Sequence, residues 1–361
     1  MKSAKPPIDQ PIQARDIRSA IEEQHRHLLQ TEDPPGQIGI QQRDTAWLVT
    51  VDLPHKQVKL VAKALPSSAG FPEGIPPAWE IHNKLREQCP VVCAMSVPFL
   101  GVDPDRSLLF LGFVEGRPLS VAMRRTLSLA SVSGPVSQSV RQVGQYLQSL
   151  HTLDPAALGI TPRLRPNRVF VERFEEIFSD PVIQRWLPSS YRATDQILGR
   201  VSDGFLDRSQ ERFSLVDFQP KNVLVDPDGN AHVIDINYFL GHPAINLAVF
   251  LVNIAMIGLY RPTPRVRSRL AAWQRIFLDG YMRVDPNTPR WVANDLVFFY
   301  PFIILDLFWW HLRRRPQFKL YLGWFYGRLL RDFLVELNEG KTDRPVSIGI
   351  DRYRCSAVSA G

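Results

Sequence analysis

The sequence predicts a two-lobed α+β protein, with a small antiparallel β-sheet lobe that carries one helix and a larger, mainly helical carboxyl lobe. Three observations predict it. Residues 37–113 hold five short runs of strand-forming residues interrupted by one helical stretch. Beyond residue 116, apolar residues recur at spacings of three and four. One strand block, 213–235, interrupts those helices and concentrates polar side chains. A chain of 361 residues supports two or three lobes, and 45% hydrophobic with 10% aromatic residues gives them cores. That composition excludes wholesale disorder, a collagen-like repeat and a disulfide-stapled miniprotein.

The elements follow in order. Residues 1–14, rich in Pro, Gln and charge, are expected to be mobile, whereas Ile17, Ile21 and Leu28 lie at helical spacing and predict an accessory helix over 14–30. Ile38 with Ile40, then 46–51 and 58–63, predict three strands of an antiparallel meander. Pro76-Pro77 then opens a helix over 78–85, because proline's missing N–H has no intrahelical partner in a first turn. Runs 97–101 and 108–113 flank the turn Asp103-Pro104-Asp105 and complete a β-β-β-α-β-β order. Val136, Val140, Val143, Leu147 and Leu150 predict a helix buried along one stripe. Residues 163–212 predict two more helices, interrupted near Pro181 and Pro188. Residues 243–337 are helical with large apolar faces, and the chain beyond Asn338 is expected to be loose. The resulting division is an extension with its accessory helix at 1–35, a small lobe at 36–116, a helical lobe at 117–338 and a tail at 339–361.

Charge and cysteine usage bound the partners. With 43 Lys+Arg against 36 Asp+Glu the chain carries +7, a modest excess that predicts a basic solvated surface and no nucleic-acid partner. Cys89, Cys93 and Cys355 are odd in number and lack Cys-x-x-Cys spacing, so they are expected to be reduced thiols, with Cys89 and Cys93 at a helix end and in a loop. The amino terminus shows no apolar secretory stretch, and a cytoplasmic location is expected. The aromatic-rich segment 298–326 is expected to be core. No transmembrane span is expected there, since Asp295, Pro301 and Asp306 interrupt it. Peripheral membrane contact stays open, because Arg313-Arg314-Arg315 adjoins the aromatic segment.

The chemistry concentrates in the strand block. Asp217 lies five residues before Asn222, which opens a buried strand, and Asp235 ends the partner strand across the turn Asp226-Pro227-Asp228-Gly229. One hairpin therefore gathers a carboxylate, an amide and a second carboxylate at one end. Mg²⁺ is usually held by one or two carboxylates and other oxygens with substrate phosphates completing its shell, so Asn222 and Asp235 suit a metal pair.

These residues resemble the aminoglycoside phosphotransferase and choline-kinase-like branch of the protein-kinase-like superfamily. Asp217 with Asn222 is similar to that family's catalytic loop, and Asp235 to its metal aspartate. Residues 241–248, Gly-His-Pro-Ala-Ile-Asn-Leu-Ala, resemble its Gly-Asp-Pro-Ala-x-Asp-Leu-Ala stretch, with His242 and Asn246 in place of aspartates. Leu215-Val216 stand where the family usually has His-Gly. In the small lobe, Lys63 resembles the third-strand lysine, Glu80 its helix partner, and residues 114–119 the segment after the hinge. Ser149-Leu150-His151 resembles a family helix end, and the likeness spans roughly 36–260. It implies a protein-kinase-like fold and Mg²⁺-dependent transfer of the ATP γ-phosphoryl group to the hydroxyl of a small molecule. Lys63 would bind the α- and β-phosphates with Glu80 fixing it, Asn222 and Asp235 would hold Mg²⁺, Asp217 would take the hydroxyl proton, and Gln219 would touch the transferring phosphate. Adenine would meet the backbone near Gly112, Phe113 and Val114. The net basic charge and the two missing aspartates favour a neutral or anionic acceptor over a polycationic aminoglycoside. No Gly-rich phosphate loop stands between the first two strands, where only 41–45, Gln-Gln-Arg-Asp-Thr, is found. An inactive kinase-like protein that binds nucleotide or a partner is the alternative.

Overall fold

Alternation along five strands builds a sheet with two different faces. In the computed structural model, which describes residues 12–43, 46–65, 78–127, 134–159, 167–186, 212–234, 237–259, 263–283 and 290–339, the strands β1 (Ile38–Arg43), β2 (Ala46–Leu53), β3 (Lys56–Ala64), β4 (Phe99–Asp103) and β5 (Leu108–Gly112) pair antiparallel in the order β1-β2-β3-β5-β4. The extension before residue 12, the tail from residue 340 and Asp235 lie outside the described residues. Val49, Val51, Leu60, Ala62 and Phe110 face outward, where Ile17, Ile21, Leu28 and Leu29 of α1 (Ala14–Leu29) cover them. Burial of each such aliphatic side chain contributes about 1.5–3 kcal/mol, so α1 is a layer of the small lobe. The guanidinium of Arg106 locks it there, 2.6 Å from Glu23 and 2.7 Å from Asp103. The strand period sends Val61, Leu65, Leu109 and Leu111 to the other face, against the larger core, and Lys63 shares that face.

Arg43 pairs directly with Ala46, so Asp44 and Thr45 alone join the first two strands; Gln41 to Arg43, read from sequence as loop, belong to β1. α2 (Ala78–Gln88) follows. Next comes α3 (Pro90–Met95), so Cys93 lies in a helix and not in a loop, while Cys89 precedes its proline start. Six residues are too few to show a helical period in sequence.

The linker 113–116 leads to β6 (Arg117–Pro118), which pairs with β8 (Val223–Val225), itself paired with β9 (Ala231–Val233). β7 (Arg212–Leu215) pairs with β10 (Tyr238–Gly241), two short strands flanking the hairpin. The helices are α4 (Leu119–Thr126), α5 (Pro135–Thr152), α6 (Asn167–Ser179), α7 (Pro181–Trp186), α8 (Pro243–Met256), α9 (Pro264–Arg283), α10 (Arg290–Arg314) and α11 (Lys319–Glu339). α5 and α9 cross at glycine: a Cβ on Gly144 would stand 2.2 Å from the Phe277 carbonyl oxygen, and one on Gly280 2.3 Å from that of Arg141. Over Asp295–Arg314, α10 is long and apolar enough to cross a membrane, yet 72% of that window is buried, and Phe298, Phe299 and Phe302 pack with Phe170 and Phe174 of α6. Its hydropathy therefore serves the core. Trp310, Phe318 and Trp324, expected in the core, are instead 42%, 51% and 47% exposed.

Candidate active site

The loop between β7 and β8 alternates buried anchors and polar groups turned outward. Phe218 is buried beside Tyr146 of α5 and Phe250 of α8, with ring centroids 6.4 and 5.1 Å away, and Pro220 is buried at the start of the 3-10 turn Pro220–Asn222. Those anchors leave Asp217, Gln219 and Lys221 turned toward solvent. The Asn222 amide donates to the Asp217 carbonyl at 2.7 Å and to its carboxylate at 3.1 Å. Lys221 Nζ lies 3.0 Å from that carboxylate, and the Gln219 amide donates to its other oxygen. Asp217 is thus held from three sides while its side chain stays 42% exposed. The Asn222 carbonyl accepts from Ile234 N at 3.1 Å, which places Asn222 at the end of the β8–β9 ladder. With its N–H groups spent on Asp217, Asn222 has its amide oxygen left for a hard cation. Among the described residues no three His, Cys, Asp or Glu side chains gather as a metal site.

The loop is fixed from below by α8. Asn246 accepts from Leu215 N at 2.9 Å and donates to Leu215 O at 2.8 Å, satisfying both main-chain groups of one buried residue. An aspartate could do only half of this. Asn246→Asp is therefore expected to leave the Leu215 carbonyl facing a second acceptor and to lower stability by about 1–3 kcal/mol, measured by urea denaturation. His242 caps α8: its Nδ1 accepts from Ala244 N at 3.1 Å, so Nε2 carries the proton and donates to Asp295 Oδ2 at 2.9 Å. Asp295 of α10, itself fully buried, thus holds the His242 ring in this orientation. Beside Leu215, exposed Val216 donates its N–H to the Asn237 carbonyl at 3.0 Å, a main-chain tie to the segment after Asp235.

Lys63 and Glu80 are not brought together. Ala78, Ile81, His82 and Leu85 form the packed face of α2, and Glu80 lies on the opposite, exposed side; no ion pair joins it to Lys63 among the described residues. The buried polar group of α2 is His82. It donates from Nε2 to the Val97 carbonyl at 2.9 Å and accepts at Nδ1 from Tyr238 O–H at 2.9 Å, tying α2 to β10. Phe113 lies in the linker after β5, 37% exposed with Lys59 Nζ 5.6 Å from its ring centre, and Val114 packs on the larger core.

Burial pushes the His82 imidazole down to about 4, with the Val97 hydrogen bond opposing and Arg86 adding to the shift. His151, which shares a hydrogen bond with Tyr281 O–H at 2.9 Å, is pushed down to about 3 by burial and then by His242 and Arg212. Between the ordinary value of 6.5 and these values the unfolded chain binds protons that the folded chain refuses. Stability is therefore full above about pH 6.5 and falls as pH drops toward 4, by about 3 kcal/mol for His82 alone. Urea midpoints measured from pH 7 to 4 should show this decline, and His82→Gln should flatten it.

The sequence singled out Asp217, Gln219 and Asn222, and they meet here; Asp235 lies outside the described residues. Lys221 was missed, although a cation four residues after the aspartate was a visible signal. The clamp made by Asn246 had no local signal, since its partner lies 31 residues away.

No protein-family model and no curated protein matches this chain. Solved structures do. A glucosamine kinase superposes with TM-score 0.56 at 15% identity, covering 86% of this chain and 97% of that one. A choline/ethanolamine kinase family protein from Mesorhizobium loti gives 0.50 at 13%, over 94% and 99%. A choline kinase from Cryptosporidium parvum Iowa II gives 0.50 at 14%, over 84% and 91%. The chain has the protein-kinase-like fold. Within that kinase-like fold, the five-stranded sheet with α1 and α2 is the small lobe and the mainly helical remainder is the large lobe. The β7–β8 loop belongs to the large lobe, and the linker 113–116 joins the two.

Proposed function

We propose that the protein is an ATP- and Mg²⁺-dependent phosphotransferase that moves the γ-phosphoryl group to a hydroxyl of a small molecule. The observation that carries this reading is the solvent-facing Asp217 carboxylate, held by Gln219, Lys221 and Asn222 on a loop anchored at Phe218 and Pro220. Asp217 orients the acceptor hydroxyl and takes its proton as the oxygen attacks the γ-phosphorus, and ADP leaves. Lys63, on the sheet face turned toward the large lobe, meets the α- and β-phosphates, with Glu80 reaching it only if α2 turns. The main chain at Phe113 and Val114 contacts adenine, and Gln219 meets the transferring phosphoryl group. Asn222 and Asp235 would hold Mg²⁺, which when bound would neutralise phosphate charge. The free thiols of Cys89 and Cys93 suit a reducing, cytoplasmic setting.

The neighbours named as glucosamine and choline kinases support a small-molecule acceptor. Lys221 beside Asp217 and the +7 net charge favour a neutral or anionic one over a polycationic aminoglycoside. ADP release should be followed across pooled sugars, polyols, amino alcohols and aminoglycosides, with Mg²⁺ and with EDTA. Acceptor-dependent, EDTA-sensitive release supports the reading, and an aminoglycoside as best acceptor would overturn its specificity. A second reading, a catalytically silent nucleotide-binding protein, is favoured by the exposed Glu80 and by the absence of a Gly-rich run between β1 and β2 in the sequence. It predicts nucleotide binding without turnover.

A further inference from the structure

We infer that the corner between α10 and α11 is a docking surface for an anionic lipid bilayer. Eight consecutive residues, 313–320, are exposed there, in the order Arg-Arg-Arg-Pro-Gln-Phe-Lys-Leu. Soluble surfaces scatter large apolar side chains singly. Here Trp310, Phe318, Leu320 and Trp324 cluster on one corner, exposed by 42%, 51%, 71% and 47%. Leu320, Trp324 and Arg328 follow each other at spacings of four along α11 and so form one stripe, with Phe318 on the adjoining turn Pro316–Phe318.

Charge selects the partner. Between Asp306 and Asp332 the chain carries Arg313, Arg314, Arg315, Lys319, Arg328 and Arg331 and no acidic residue; Asp180 lies 3.9 Å from Arg313 and Asp332 3.7 Å from Arg328, which leaves the cluster in net positive excess. The guanidinium of Arg314 lies 4.1 Å from the Trp310 ring centre and that of Arg328 5.7 Å from Trp324, so each exposed indole comes with a cation. Indoles settle at the headgroup level of a bilayer, apolar side chains reach the acyl boundary, and arginines meet lipid phosphates. A second copy of this chain fits worse, because a two-fold contact would press the basic cluster against itself. The helix that supports the corner is core for most of its length, so the surface lies on the membrane without spanning it.

The full chain should be co-sedimented with vesicles of phosphatidylcholine alone and of phosphatidylcholine with phosphatidylglycerol. Binding is expected only to the anionic vesicles and should weaken with added salt. Neutralising a basic residue near an anionic surface costs about fivefold in partitioning, so Arg314→Gln with Lys319→Gln should bind about 25-fold more weakly. Leu320→Ser, at an exposed position, should also weaken binding while leaving the melting temperature unchanged. Equal binding to both vesicle types, or none to the anionic vesicles at low salt, would overturn the proposal. A concentration-dependent dimer abolished by the same substitutions would overturn it too, and assign the surface to a second copy.

Discussion

Asp217→Asn is expected to lower kcat by about 10²–10⁴-fold while leaving nucleotide binding intact. The amide keeps the shape of the carboxylate but cannot take the acceptor proton. Asp217 lies on a loop fixed by buried Phe218, Pro220 and the Asn246 clamp, so the substitution should leave the backbone in place. Single-turnover rates would report the chemical step, and titration with ATP the binding. An unchanged rate with an acceptor in hand would remove Asp217 from proton transfer.

Gly144→Ala and Gly280→Ala are each expected to destabilise the large lobe by about 3 kcal/mol or more. In an ordinary helix, glycine to alanine stabilises by about 1 kcal/mol, so the sign itself is diagnostic. At this crossing the new methyl would meet main chain, 2.2 Å from the Phe277 carbonyl and 2.8 Å from Tyr281 N at one site, and 2.3 Å from the Arg141 carbonyl at the other. Backbone cannot swing aside as a side-chain end can, and α5 and α9 would have to part. The damage should reach the site, because α5 carries Tyr146 against Phe218 and His151 against Tyr281. A urea midpoint equal to or above that of the wild type would show that the helices do not cross so closely.

The small-lobe strands, α1, α5 and the Asp217 loop were legible because each declares itself locally. Ile17, Ile21 and Leu28 repeat at helical spacing, and Asp217 and Asn222 stand at a spacing that one turn can close. What escaped has a tertiary cause. α3, β6 and β10 are too short to show a period, and β10 is a strand only because β7 lies beside it. Glu80 stands on the right element, but the helix is oriented by burial of Ile81, His82 and Leu85, which sequence alone does not rank above a salt bridge. His242 and Asn246 read as lost charges, whereas His242 caps α8 and donates to buried Asp295, and Asn246 satisfies both groups of Leu215. The aromatic run after residue 298 read as uniform core, and only packing separates buried Phe298 from exposed Trp310, Phe318 and Trp324.

The proposed nucleotide site is tested most directly by thermal unfolding with ATP, with and without Mg²⁺, for the wild type, Lys63→Met and Asp235→Ala. At about 100 times the dissociation constant, a ligand of the folded state adds about 2.7 kcal/mol and a clear rise in melting temperature. The expected result is a rise that needs Mg²⁺, is weakened in Lys63→Met and is lost in Asp235→Ala. No rise in the wild type at millimolar ATP and Mg²⁺, or the same rise in all three proteins, would contradict a nucleotide site built on Lys63, Asn222 and Asp235.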